Sequence, residues 1–470
     1  MYKPYSLLMP AMLAALLGGC AGKGDSAPPP SDLAATAGDG RVKLTWTATP
    51  GVDYWLFSAT DSSLTAFNWT GLKYGHAYIS APEPFYLCGL IDDMTYYMAA
   101  NARIDGGPGG ASSATVNATP YNVSTRAWTL NTVPSAVWPP NITPTTPDLF
   151  GTGYTSLTTC SNMAHSAAGR FMSVGAGGAL YVSNDGMTWN VPASPPAGFT
   201  SDLHAVTGNA INQNNPTNPS LLWIAVGAGG NSIYSNDLTS DTWTAGNSTS
   251  VTTSNLNAIT HYGTTFVAVG DAGTVVTTTD GITWTVHPIT TVTTSNLNGI
   301  THGSYYVAVG DNGTILTSVD ANSWTSHTVT NAAVTSNLRK VAYFGSIIVA
   351  VGDGGAIVTS KDNGVTWYSS STSPTANNLV GIAVEPLAYD YTNTALMPDA
   401  WLGVIPTAQF VVMDNLGNVY RSVTGTDPNA NGLTWDPTSI ATGIANANGL
   451  VSSGFGYVAV GNAGATASAF

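Results

Sequence analysis

The chain has 470 residues, only 8% of them charged, and 26 acidic against 12 basic side chains give it a formal net charge of −14. No run of three or more Lys or Arg occurs, so the basic footprint that holds a phosphate backbone is excluded, and no nucleic-acid partner is expected. Polarity comes from Thr, Ser and Asn, and strand formers are interrupted by 51 Gly and 27 Pro, which is the profile of an all-β chain with many short strands.

The first element is MYKPYSLLMPAMLAALLGGC. One cation, Lys3, precedes an apolar stretch of about a dozen residues, too short for a membrane-spanning helix of ~20. Its end, Leu17-Gly18-Gly19-Cys20, resembles the lipobox of bacterial lipoproteins. That resemblance implies a signal peptide over residues 1–20, lipidation of Cys20 as the mature first residue and, with Ala21 next, an outer-membrane lipoprotein facing the periplasm or the cell surface. Two lipid attachments would give stable anchoring, so the membrane is met through the anchor alone. Residues 21–27 are expected to be a flexible tether. Beyond Cys20 only Cys88 and Cys160 remain, and they form either one disulfide or two separate thiols.

Residues 28–120 come next. Leu44 and Trp46 alternate on an early strand, Gly89-Leu90 precedes Tyr96, and Ser113 leads into a closing Asn-Ala-Thr-Pro at 117–120. This pattern resembles a fibronectin type III domain, an immunoglobulin-like sandwich of two sheets, with Trp46 in the core and Tyr96 at a tyrosine corner.

The remainder, 121–470, repeats an apolar run ending in a Gly turn, a second β-rich run and a Trp. The clearest copies are VAVGDAGTVVTTTDGITWT from Val267, VAVGDNGTILTSVDANSWT from Val307 and VAVGDGGAIVTSKDNGVTWY from Val349. Gly270, Gly310 and Gly352 set spacings of 40 and 42 residues, and short runs such as LNAI (256–259) precede each copy. Four short strands at that period make a propeller blade. Seven such units can be counted, the last ending at Phe470 before any Trp, while an unpaired Trp run, RAWTL (126–130), stands before the first. The expectation is therefore a seven-bladed β-propeller closed by an N-terminal strand pairing near 465–470, which leaves no open sheet edge. The unit tails, SKDNGVTW (360–367) above all, resemble the Asp-box of sialidases, sortilin-type receptors and photosystem II assembly-factor-like propellers.

Two Asp positions recur. Asp185, Asp237, Asp280, Asp320 and Asp362 sit between the third and fourth strands, where a tight turn explains them as structural. Asp271, Asp311, Asp353 and Asp414 follow the second strand, in turns that share a face with the blade-joining loops. Turn structure explains these as well, but together with Arg339 and Lys340 they form a candidate binding rim. Arg339-Lys340 stands where other units carry Asn257-Ala258 or Asn298-Gly299. The joining loops 245–255, 286–296, 326–337 and 369–378 are uncharged and suit recognition by many weak hydrogen bonds, or are simply solvated. On the opposite face an insertion at 385–401 carries Tyr389, Tyr391 and Trp401, a candidate aromatic platform or a self-packed loop.

No HExxH, G-x-S-x-G, phosphate loop, CxxC pair or zinc spacing occurs, so no cofactor and no metal are expected. A sialidase would need three convergent arginines, whereas Arg126, Arg170, Arg339 and Arg421 occupy scattered repeat positions. The reading is a non-catalytic binding or scaffold protein of the bacterial cell envelope, its partner a protein or glycan. The alternative is a carbohydrate-active hydrolase built on the propeller.

Overall fold

A computed structural model describes residues 24–38, 41–79, 81, 83, 85–88, 90, 94–120, 128–134, 146–155, 170–184, 186–211, 220–236, 242–331, 333–344, 346–370, 372–386, 408–422, 433–452 and 457–469. They fall into two compact units, one with the described residues up to Pro120, the other with those from Trp128 onward.

The first unit has eight strands: β1 (Ser26–Ala27), β2 (Ala34–Gly38), β3 (Arg41–Thr45), β4 (Val52–Ala59), β5 (His76–Tyr78), β6 (Phe85–Cys88), β7 (Tyr96–Ile104) and β8 (Val116–Ala118). One sheet is β2-β3-β6; in the other, β7 lies between β4 and an edge shared by β1 and β8, with β5 outside β4. Alternating residues of both sheets meet in one core, in which Leu44, Leu56 and Met98 are fully buried and Trp46 lies 5.5 Å from the ring of Tyr54. Ser26 and Ala27, placed in the expected tether, are instead strand residues opposite Arg103 and Ala102. The cause is local: β8 covers only Tyr96–Met98 of that edge, and the open backbone groups beyond it take another segment. Cys88 lies in β6, whereas Cys160 falls outside the described residues, as does Cys20.

The second unit contains seven antiparallel sheets among its described residues. The second to sixth have four strands in chain order; the first has three, plus a bridge from Val182 to Asn190. Second strands are mostly apolar because both their faces are covered. Val267 and Val269 turn toward the following sheet, Phe266 and Ala268 toward the preceding one, and all four are fully buried. Each repeated Trp shares a buried cluster with the sheet before its own. Trp284 lies with Ile224 and Val226, Trp324 with Val267 and Val269, and Trp367 with Val307 and Val309. Trp189 of the first sheet lies with Val458 and Val460 of the seventh, so the hydrophobic sequence is cyclic. The seventh sheet takes its fourth strand from β9 (Thr129–Thr132), which pairs with Ala465–Ala469 so that Thr129 faces Ser468 and Thr132 faces Ala465. Successive first strands touch one another, and the seventh touches the first. These inner strands surround a cavity.

Candidate binding rim and central channel

The turn between second and third strands is a short 3-10 turn whose middle residue has positive φ: Gly177, Gly229, Ala272, Asn312, Gly354 and Ala463, at 52–64°. Left-handed backbone aims that residue's N–H out of the turn. In each case it donates to a side-chain oxygen just ahead of the next inner strand: Asp202, Asn255, Asn296, Asn337, Asn378 and Asp148 respectively, at 2.8–3.1 Å. Six straps thus tie each turn to the linker entering the next sheet, and the last runs from the seventh sheet to the first. The sixth sheet is the exception. Its Asp414 is wholly buried, accepts the N–H groups of Leu416 and Asn418 at 3.0 and 2.9 Å, and also receives Asn377 Nδ2 at 2.8 Å.

The other rim carboxylates hold amides in place. Asp271 accepts from Asn255 at 2.9 Å and Asn257 at 2.8 Å, and Asp311 accepts from Asn298 at 2.8 Å. Asn257 and Asn298 each donate again, to the carbonyls of Leu297 and Leu338 on the following inner strand at 3.1 Å. Asn448 bonds the Leu149 carbonyl in the same way at 2.8 Å, with Asn462 in place of the aspartate. Asp353 accepts from Asn337 and pairs with the guanidinium of Arg339. The Arg339 side chain is 43% exposed, so this pair contributes at most about 1 kcal/mol. The rim carboxylates are therefore engaged within the protein. The groups left facing solvent are on the linkers, where Thr253, Thr294 and Thr335 occupy equivalent exposed positions.

A register shift near the start of every inner strand arranges the wall in tiers. Such bulges re-aim the displaced side chain, here Phe150, His204, Asn257, Asn298, Arg339, Val380 and Asn448. The next tier is Gly151, Ala205, Ala258, Gly299, Lys340, Gly381 and Gly449, paired with Val174, Val226, Val269, Val309, Val351, Met413 and Val460. Two of the glycines have no room for a side chain: a Cβ on Gly151 would sit 2.5 Å from the His204 carbonyl oxygen, and one on Gly381 would sit 2.7 Å from Leu450 Cβ. Below lie Ile259, Ile300, Val341, Ile382 and Leu450, and the cavity, which opens to solvent, is about 140 Å³. Among the described residues Lys340 is the one Lys, Arg, Asp or Glu lining it. Burial, and then the charge of neighbouring Arg339, hold the Lys340 ammonium below the usual lysine range.

At the other end of the sheets lie the turns of Asp280, Asp320 and Asp362. Asp320 accepts the N–H groups of Asn322 and Ser323 at 2.9 and 2.8 Å and the Ser318 hydroxyl at 3.0 Å. Asp280 and Asp362 repeat the arrangement with Ile282 and Thr283, and with Val365 and Thr366. The following Trp closes each turn, Trp324 donating its indole N–H to the Ala321 carbonyl at 3.0 Å. The N–H groups of Ser323 and Asn322 hold the Asp320 carboxyl below the ordinary value. Burial pushes Asp280 and Asp362 upward, but their hydrogen bonds together outweigh it and leave both lowered. Asp185, Asp237, Tyr389, Tyr391 and Trp401 lie outside the described residues. Nearby, His302 stacks on Tyr262 at 3.9 Å and meets Tyr306 edge-on at 4.3 Å. No group of three metal-ligating side chains occurs among the described residues.

The strap residues escaped the sequence reading. Their signal is an Asn ahead of Leu in TSNLNAI, TSNLNGI, TSNLRKV and ANNLVGI, hidden inside loops taken as recognition surface or solvated chain.

No protein-family model and no curated protein sequence matches the chain. Among solved structures it is similar to one described as YCF48 bound to D1 peptide, with a TM-score of 0.50 and 14% identity, covering 74% of this chain and 96% of that one. YCF48 from Cyanidioschyzon merolae gives a TM-score of 0.46 at 16% identity, over 73% of this chain and 98% of that one. At such identities the likeness to the first establishes the fold alone: a β-propeller.

Proposed function

We propose that this chain is a lipid-anchored scaffold of the bacterial outer membrane. In this reading a fibronectin type III-like domain carries a seven-bladed Asp-box propeller whose linker face binds a protein segment without catalysis. The observation that carries the binding role is the strapped rim. Six backbone-to-side-chain bonds hold the linkers still, so the hydroxyls of Thr253, Thr294 and Thr335 are presented with little entropy left to lose. The rim aspartates spend their acceptor oxygens inside the wall, which favours recognition over acid–base chemistry. A peptide ligand on a similar propeller supports a protein partner. The leader ending in Leu17-Gly18-Gly19-Cys20 supports the anchor, and acyl labelling of the expressed chain is expected to vanish in Cys20→Ala.

The role is tested by screening the purified chain against peptides from envelope proteins and, in parallel, against glycans with a hydrolysis assay. Peptide binding is expected to weaken at least tenfold in Thr294→Trp, on the linker face, and to survive Tyr262→Ala at the other end. Glycan turnover by the unaltered chain, or peptide binding that only Tyr262→Ala abolishes, would overturn the assignment.

A further inference from the structure

The tier that carries Gly or Ala in six sheets carries Lys340 in the fifth, and this substitution has no structural counterweight. The carboxylate that could neutralise it, Asp353, is already paired with Arg339 one residue earlier. Among the described residues Lys340 has neither an ion-pair nor a hydrogen-bond partner. Its cross-strand neighbour is Val351, and the strand it faces offers Val380, Gly381 and Ile382. The result is an ammonium without an ion-pair partner at a half-buried position lining a small, mainly polar cavity, where an anion would complete it.

We propose that the central channel is a binding site for a small monocarboxylate, its carboxylate paired with Lys340.

Size, charge and chemistry each narrow the ligand. A cavity of about 140 Å³ admits a few heavy atoms, the length of a short fatty acid or the last residue of a peptide. One ammonium balances one negative charge, whereas phosphate recognition draws on several donors or a guanidinium fork. The net charge of −14 repels polyanions at long range and leaves short-range pairing to act. The lowered ammonium agrees with this, since a bound carboxylate would restore the charged form. The site lies inside the wall and is separate from the linker threonines, so it stands or falls independently of the protein-binding role.

The chain has six lysines, which makes residue-resolved labelling decisive. The full chain in detergent is acetylated with a limiting amine-selective ester at graded pH, and each lysine is read by peptide mass spectrometry. Lys340 is expected to react at a pH below the usual lysine range. Propionate should slow its labelling at least threefold and leave Lys361 unchanged. Tetra-alanine with a free C-terminus and its C-terminal amide separate the two sources: protection by the free peptide but not the amide identifies a chain end, and protection by propionate alone identifies a free acid. Propionate should also raise the melting temperature of the unaltered chain and of Lys340→Arg, but not of Lys340→Met. Should Lys340→Met fail to fold, labelling of the unaltered chain still decides. Absence of protection by either acid, or equal protection by the amide, overturns the site.

Discussion

At the scale of single residues, an Asp that repeats at 40-residue spacing has a task other than the one its charge suggests. Asp311 orients Asn298, whose amide also reaches the Leu338 carbonyl of the next sheet. Asn298→Ala removes the donor and leaves both a carboxylate and a carbonyl partly unsatisfied, at a cost of about 1–3 kcal/mol. Urea unfolding of the variant should show that loss with an unchanged m-value, and a loss near zero would mean that water replaces the amide. Lys340 is the opposite case. Its oddity was visible in the sequence, where a basic pair breaks a pattern of Asn, Ala and Gly, but its position was not. Only the bulge at Arg339 decides which of the two cations lines the channel, and a bulge has no sequence signature here.

At the scale of the element, the strand–turn–Trp tail was legible because three constraints coincide in few residues. In the tails of Asp280, Asp320 and Asp362 the Ser or Thr hydroxyl donates to the Asp and the Trp indole to a carbonyl of the same turn, so chemistry and spacing are fixed together. The straps were not legible because four of them join segments 24–26 residues apart through one Asn in a polar loop, and another joins residues 315 apart. β1 was missed for a related reason, two residues being too few to show a period. The Asp turns also set a pH response. Because the folded carboxyls of Asp280, Asp320 and Asp362 are lowered, their contribution is fully present above the unfolded Asp value of about 3.9 and is lost as pH falls through the folded values. Asp320→Asn should therefore be less stable than the unaltered chain at pH 7, by about 1 kcal/mol or less at this exposed site. The gap should narrow as the pH is taken well below 3.9, and a gap independent of pH would assign the turn's stability to geometry alone.

At the scale of the whole propeller unit, the seven inner strands contact one another in a circle, yet the chain is linear, so one junction must be non-covalent. Here that junction is the pairing of β9 with the last strand, backed by Val133, which is buried with Leu149, Val458 and Val460. The repeat count foretold such a seam because the last unit ended before its Trp while a Trp run stood spare at the start. The cyclic handing-on of each Trp to the preceding sheet required coordinates, since sequence order does not say which neighbour a side chain meets. Opening the seam would expose the edge of Ala465–Ala469 and leave the last interface half covered, so unfolding should begin there. A covalent clasp tests this directly. Thr129 and Ser468 are cross-strand partners, and Thr129→Cys combined with Ser468→Cys places two thiols across the seam. The oxidised variant should gain roughly 2–4 kcal/mol, all of it lost on adding a reductant. If unfolding starts at the seam, the gain appears mainly as slower unfolding, because a contact absent from the transition state acts on that rate. The same cross-link leaving the unfolding rate unchanged would place the weakest junction elsewhere in the circle.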